Sequence, residues 1–339
     1  MNLELLKELC ALNGVSGDED EVRDYIVKYA KRHTNDVSVD VMGNVIVSKK
    51  GKKTPVDKLV LCAHMDEVGI VVIGFTDDGY IKFAKMGGFD DRVIPGKAIS
   101  IGKTKVLGII GCKAIHLTKD KDMEKPMDFD DMYIDIGVKT RSEAEKLVSI
   151  GDTGAFNDDI RVFGDGCIQA KAIDDRFGCA VLLELLGSEL PVDCAFIFTV
   201  QEEVGLRGAY TAAYNTDPDI TLIVEGTTAA DLPSVSGVKK VCKLGNGAVL
   251  PFMDGGMIYN KEIHGILTSL ADKNNIPWQT KTYIAGATDG AIFYKTRSGN
   301  KTAGIAAPIR NLHSPTCVGK IPDMEAVEKL IRLFLESMI

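Results

Sequence analysis

The chain reads as an α/β protein: a mixed, mostly parallel sheet flanked by helices, with a β-barrel-like domain inserted into it. Three observations carry this reading. Near-continuous apolar runs such as KLVLCA (58–63), CAFIFTV (194–200) and ITLIVE (220–225) have the texture of strands buried on both faces. Helical patterns alternate with them, which implies a sheet wrapped by helices. Between about Gly69 and Val162 the texture changes to short β-rich runs separated by turns, with one short helical pattern at Ser142–Ser149. The domains are therefore 1–68 plus 163–339, and 69–162.

The opening segment predicts an amphipathic helix with Leu3, Leu6 and Leu9 on one face, a break at Gly14–Gly17, and a second helix over Asp18–Lys31. Ser16 or Asp18 is placed to cap that helix, with Glu19 and Glu21 favouring its positive end. VSVDV and VIVS flank Met42-Gly43-Asn44 as a hairpin. IVVIGF, YIKFA, AISIG, VLGIIGC and MYIDIGV are the strands of the inserted segment. Beyond Gly164 come helices at Asp175–Leu186, Leu206–Tyr214, Ile258–Lys273 and Met324–Met338, and strands at Lys281–Ile284 and Thr302–Ala306.

Composition narrows the function. With 339 residues, 45% hydrophobic and 26% charged, the chain can build a large core. Its net charge of −8 argues against nucleic acid and anionic membranes as partners. No apolar stretch approaches the ~20 residues of a membrane helix. The first residues carry Glu4, Lys7 and Glu8 where an export signal would be apolar. Eight scattered cysteines without a Cys-x-x-Cys pair suit buried, reduced thiols, so the expected compartment is the cytoplasm.

The chemistry gathers at strand ends. His64 closes KLVLCAH, and Asp66 follows two residues later. Asp174-Asp175 stands before a helix, Glu202-Glu203 follows CAFIFTV, Glu225 ends ITLIVE, and His313 follows the strand around Ile305. Each piece alone is commonplace: a His-x-Asp is usually a surface or capping pair, an acidic pair usually solvated or an N-cap. His33, His116 and His264 sit in settings that suit ordinary surface or half-buried residues. The ordered set is more specific, because ligands in open α/β sheets gather outside the carboxyl ends of strands. Imidazoles and carboxylates converging there suit two divalent cations, with a carboxylate bridging them. Glu202-Glu203 could divide the work, one binding metal and one moving protons.

AHMDEVG (63–69), KAIDDRFG (171–178), QEEVGLRGA (201–209), GATDGA (286–291) and RNLHSP (310–315), in this order, resemble the tetrahedral aminopeptidase family of dinuclear metallopeptidases, which includes glutamyl and deblocking aminopeptidases. The likeness spans essentially the whole chain, and MGGFDDRVIPGKAISIG (86–102) is similar to that family's barrel-like dimerisation domain. The resemblance implies His64, Asp174 and Glu225 on one metal, Asp174, Glu203 and His313 on the other, and Asp174 between them. It implies Asp66 orienting His64, Glu202 as general base and acid, and a cis Asp174–Asp175 peptide. The cofactors expected are two divalent ions per subunit, zinc or cobalt first and manganese next. The substrates expected are short peptides with a free amino end, and the assembly a homo-oligomer, a tetrahedral dodecamer built from dimers.

Two places depart from the family pattern, one of them a residue pair. Glu225 stands where Asp is usual, and among related dinuclear hydrolases Glu there accompanies carboxypeptidases. This keeps a carboxypeptidase, dipeptidase or amide deacylase with the same metals as the alternative. Asn311-Leu312 stand where a bulkier aromatic is common. A non-catalytic binding or scaffold protein is the third reading, opposed by the complete ligand set and Glu202.

Overall fold

The computed structural model describes residues 1–114, 116 and 128–339; the remainder of the inserted segment, 115 and 117–127, lies outside the described residues. Helix α1 (Leu3–Ala11) starts where the Asn2 side chain accepts the Leu5 N–H, and it buries Leu5, Leu6, Leu9 and Cys10. Helix α2 (Asp20–Ala30) departs from expectation at its start. Neither Ser16 nor Asp18 caps it; its N-cap residue is Glu19, without a side-chain cap bond. The Ser16 hydroxyl instead donates to Asp66 (2.5 Å), and Asp18 accepts from Thr153 (2.6 Å). Tertiary partners outcompete the local turn.

Strands β1 (Val37–Val39) and β2 (Val45–Lys49) form the expected hairpin, Val39 opposite Val45. The Asp40 carboxylate accepts the N–H groups of Met42, Gly43 and Asn44 across the turn. Strand β3 (Leu59–His64) follows, with all six residues buried.

The insertion begins directly after β3. Its strands are β4 (Gly69–Phe75), β5 (Ile81–Met86), β6 (Ala98–Ile101), β7 (Val106–Gly111), β8 (Tyr133–Asp135) and β9 (Thr153–Phe156), with short helix α3 (Arg141–Ala144) between the last two. They close in the order β4-β5-β8-β7-β6-β9, the β5–β8 seam resting on the single pair Ile81 and Ile134. Ile70, Val72, Ile81, Ile99, Ile134 and Phe156 fill the interior as a core of their own. The sequence did not mark β9. It has four residues, one of them Gly154, where a Cβ would meet Ile70 Cδ1 at 2.8 Å.

The chain then returns to the main sheet through β10 (Arg161–Phe163) and β11 (Cys167–Ala170), followed by α4 (Ile173–Leu186), β12 (Cys194–Thr199), α5 (Arg207–Thr216) and β13 (Ile220–Thr228). It ends with β14 (Ala248–Val249), α6 (Lys261–Lys273), β15 (Trp278–Gln279), α7 (Gly290–Phe293), β16 (Lys301–Arg310), β17 (Cys317–Lys320) and α8 (Ile321–Ser337). The eleven strands run β1-β2-β12-β3-β13-β16-β17-β11-β10, with β14 beside β16 and β15 beside β14. The parallel part is the centre, β12-β3-β13-β16; both margins are antiparallel. Alternation along β3 separates two cores. Leu59, Leu61 and Ala63 face the core shared with α1, α4 and α8, while Val60 and Cys62 face Ala209, Ala212 and Phe293 of α5 and α7.

The expected strand at Lys281–Ile284 is absent. Residues 282–287 are an exposed loop, and the short strand is β15. Thr282 N–H donates to the carbonyl of Val241, in a turn rather than a strand (2.9 Å).

Candidate metal centre

The parallel centre of the sheet sets the site. His64 ends β3 and lies beside Thr199, the last residue of β12. The chain leaves β12 into Gln201, whose φ of 56° is left-handed, and this turn presents Glu202 and Glu203. Glu225 stands within β13, which runs on to Thr228. His313, also left-handed at φ 53°, occupies the turn between β16 and β17. Asp174 comes from the first turn of α4, where Asp174 and Asp175 have non-helical dihedrals and the peptide between them is cis.

These residues converge. His64 Nε2 lies 3.1 Å from Glu225 Oε1 and 3.4 Å from Asp174 Oδ1. His313 Nε2 lies 3.2 Å from Glu203 Oε2 and 3.5 Å from Asp174 Oδ2. Asp174 thus turns one carboxylate oxygen to each imidazole. Glu225, a methylene longer than the usual Asp, still reaches His64. Three groups could hold a cation among the described residues: His64, Asp174 and Glu225; Asp174, Glu203 and His313; and His64, Glu202 and Glu203.

Asp66 is the hub behind them. It is fully buried, and its Oδ1 lies 3.4 Å from His64 Nδ1. It accepts the N–H of Glu202 (2.9 Å) and of Glu203 (3.1 Å) as well as the Ser16 hydroxyl. One residue therefore sets both: its backbone carbonyl lies 3.1 Å from His64 Nδ1 with the carboxylate just behind, and its side chain holds the acidic turn. The sequence placed Asp66 beside His64 but gave no sign of its hold on residues 202 and 203, which are distant in the chain. Other supports had no local signal either. Glu19 accepts the Gln201 N–H (3.1 Å), Asp175 accepts the His64 N–H (3.3 Å), and Thr199 donates to buried Asp289 (2.5 Å). Buried Glu67 pairs with both Lys171 and Arg176, the residues flanking the Asp174 turn. The inserted barrel touches the site too: a Cβ on Gly87 would lie 3.3 Å from Glu203 Cβ. His33 and His116 are exposed and His264 half-buried, apart from the cluster.

The electrostatics fit a cation. Burial, with neighbouring carboxylates adding to it, pushes the Glu202 and Glu225 carboxyls well up, and pushes Glu203 up to about 7. Burial opposes charge on Asp174 as well, yet the facing imidazoles of His313 and His64 hold it well below the usual carboxylate range. Those carboxylates in turn overcome the burial of both imidazoles, raising His64 strongly and His313 to about 9. Asp174 Oδ1 is buried without a hydrogen-bond partner. Crowded carboxylates, two imidazoles and an orphaned oxygen between them form a donor set that positive charge would satisfy.

A cavity of about 380 Å³ opens beside His64, Asp174, Glu202, Glu225 and His313, within the size range of ligand pockets.

Comparison with known proteins agrees. The profile of the M42 glutamyl aminopeptidase family matches residues 43–330. The lysyl aminopeptidase of Pyrococcus furiosus is 31% identical, over 99% of this chain and 97% of its own. Among solved structures, an aminopeptidase from the archaeon Desulfurococcus kamchatkensis superposes with a TM-score of 0.93 at 33% identity, covering 99% of this chain and 94% of its own. A TET aminopeptidase from a marine-sediment Thaumarchaeota archaeon gives 0.92 at 32%, covering 99% and 98%. The TET1 peptidase of Pyrococcus horikoshii, which assembles into a tetrahedron or a large octahedral shell, gives 0.86 at 32%, covering 97% and 98%. With its converging histidines and carboxylates at the sheet's carboxyl edge, the chain belongs to the M42 glutamyl aminopeptidase family of metallo-aminopeptidases, hydrolases of peptide bonds.

Proposed function

We propose that this centre removes the first residue of short peptides using two divalent cations. His64, Asp174 and Glu225 would hold one, and Asp174, Glu203 and His313 the other. The observation that carries this reading is Asp174, with one oxygen towards each imidazole and one of those oxygens otherwise unpartnered. Bound there, the cations supply a water of pKa lowered toward about 7 and a Lewis acid for the scissile carbonyl. Zinc, cobalt and manganese all suit these donors.

The chain's own groups do the rest. Glu202 stands beside the ligands without belonging to either of the two sets that share Asp174. It takes the proton of the attacking water and returns it to the departing amine nitrogen. Asp66 fixes the His64 ring through Nδ1 and holds the turn that carries Glu202. Residues 1–68 with 163–339 form the catalytic domain, and 69–162 the domain through which subunits pair. Tetrahedral assembly would enclose the centres and admit short peptides. No helix of the described residues is long and apolar enough to cross a membrane. All eight cysteines are unpaired, in keeping with a reducing cytoplasm.

The test uses stripped enzyme resupplied with zinc, cobalt or manganese and offered free-amine, N-acetylated and carboxyl-terminal reporter peptides. Metal-dependent release from the free-amine set alone, with kcat lowered about 10²–10⁴-fold in Glu202→Gln, is the expected result. Release only from blocked or carboxyl-terminal substrates would replace this reading with the deacylase or carboxypeptidase alternative that Glu225 keeps in view.

A further inference from the structure

Val241 has φ 61° and ψ −72°. A β-branched residue at positive φ is a backbone outlier, and these dihedrals lie near the rare, strained γ-turn region. The turn is held from outside. Thr282 donates its N–H to the Val241 carbonyl (2.9 Å), and its hydroxyl proton is shared between the carbonyls of Val241 (2.9 Å) and Val238 (2.8 Å). Backbone in such regions persists where its surroundings over-determine it, often at ligand clamps. Here the strained residue is buried and lines the cavity beside the metal centre.

The wall it joins is apolar. Val249 and Ala306 pair across β14 and β16, and Ile223, Pro251, Ile305 and Leu312 add apolar surface to a lining that also carries the hydroxyls of threonines and tyrosines such as Thr227 and Tyr283. Two charged side chains also reach this cavity away from the centre, and both have partners. Asp254 accepts the N–H groups of Gly256 and Met257 and the Tyr259 hydroxyl. Lys281 donates to the Ala285 carbonyl (2.8 Å). A basic side chain entering the pocket would shed water without meeting a carboxylate free of partners, and an acidic one would meet only Lys281, whose ammonium bonds in the exposed loop. An apolar one would gain from every Å² it buries.

We infer that this cavity is the seat of the substrate's first side chain, that it selects a large apolar residue of the leucine, methionine or phenylalanine class, and that Val241 is a specificity-determining residue. The inference rests on the aminopeptidase reading and deepens it. Lysyl and glutamyl relatives act on charged first residues, so the choice is a property of this chain's lining.

The test offers metal-loaded enzyme p-nitroanilides of leucine, methionine, phenylalanine, alanine, glutamate and lysine. Calorimetry of free L-leucine, L-glutamate and L-lysine provides a readout apart from turnover. The expected result is a kcat/KM for the apolar large residues at least about tenfold above glutamate and lysine, with L-leucine the tightest of the three amino acids. Val241→Gly removes the side chain and tolerates the positive φ, so its melting temperature should hold while the leucine-to-alanine ratio falls about tenfold. Best cleavage of glutamate would overturn the inference in favour of Lys281, and best cleavage of lysine in favour of Asp254. An unchanged leucine-to-alanine ratio in Val241→Gly would remove Val241 from the wall. No cleavage of any member would sink the aminopeptidase reading and this inference with it, whereas cleavage with a charged preference would sink this one alone.

Discussion

Asp66 shows how much one buried carboxylate can organise. Its oxygens face His64 Nδ1, two backbone N–H groups and the Ser16 hydroxyl, so its negative charge is fully used. Replacing it by Asn puts a donor where acceptors are required. Partners of this kind typically govern metal affinity by 10–100-fold. Asp66→Asn is therefore expected to bind its metals about 10–100-fold more weakly, measured by chelator competition, with the secondary structure intact by circular dichroism. Unaltered affinity would mean that the hub serves the fold and leaves the metals untouched. The residues that converge were legible in the sequence because each stands at or beyond the end of an apolar run. The hub role of Asp66 was not, nor was the part played by Glu19 or Asp289, because those bonds join residues brought together by the sheet alone.

At the scale of elements, the inserted barrel is a neighbour of the chemistry as well as a platform. Gly87, in the turn after β5, has φ +81°, and a Cβ there would lie 2.8 Å from Val68 Cγ1 and 3.3 Å from Glu203 Cβ. Gly87→Ala thus combines backbone strain with pressure on Glu203, a proposed ligand. The expected outcome is loss of metal from the Glu203–His313 side first, seen as a fall toward one ion per chain by elemental analysis, with the barrel still folded. Two tight ions per chain in this variant would show that the turn yields freely. Strands with strong apolar runs were readable from sequence, whereas β9 and β17 were not, being four-residue strands each containing a glycine. The misplaced strand at 281–284 has the β-rich composition of a strand, but its Thr282 bonds go to the Val241 turn. Composition reports propensity, and tertiary partners decide.

For the whole molecule, the barrel exterior bears Leu107 and Ile109, two residues apart on β7 and both exposed. Apolar side chains grouped on a surface mark contact sites, and the Pyrococcus horikoshii relative forms closed shells. Light scattering is expected to give a mass near twelve chains. Charging this face with Leu107→Glu and Ile109→Lys should drop the mass to smaller species while the isolated subunit keeps its fold. A monomeric wild-type protein at micromolar concentration would refute assembly, and an undiminished variant would move the contact elsewhere. The two-part architecture was readable because texture changes sharply near residue 69. The order of the strands was not, since it is fixed by pairings across the full length of the chain.

That order also sets a timetable for synthesis. β3 lies between β12 and β13, yet β12 begins at Cys194, about 130 residues after β3 ends at His64. At about 5–20 residues per second, a ribosome takes roughly 7–26 s to deliver the first of these partners. Throughout that interval the nascent chain carries LVLCAH with both edges open, and the barrel gains its last strand at Phe156, 38 residues before β12 begins. The interval falls to chaperones to guard, and a ribosome pause placed just after the barrel would lengthen it.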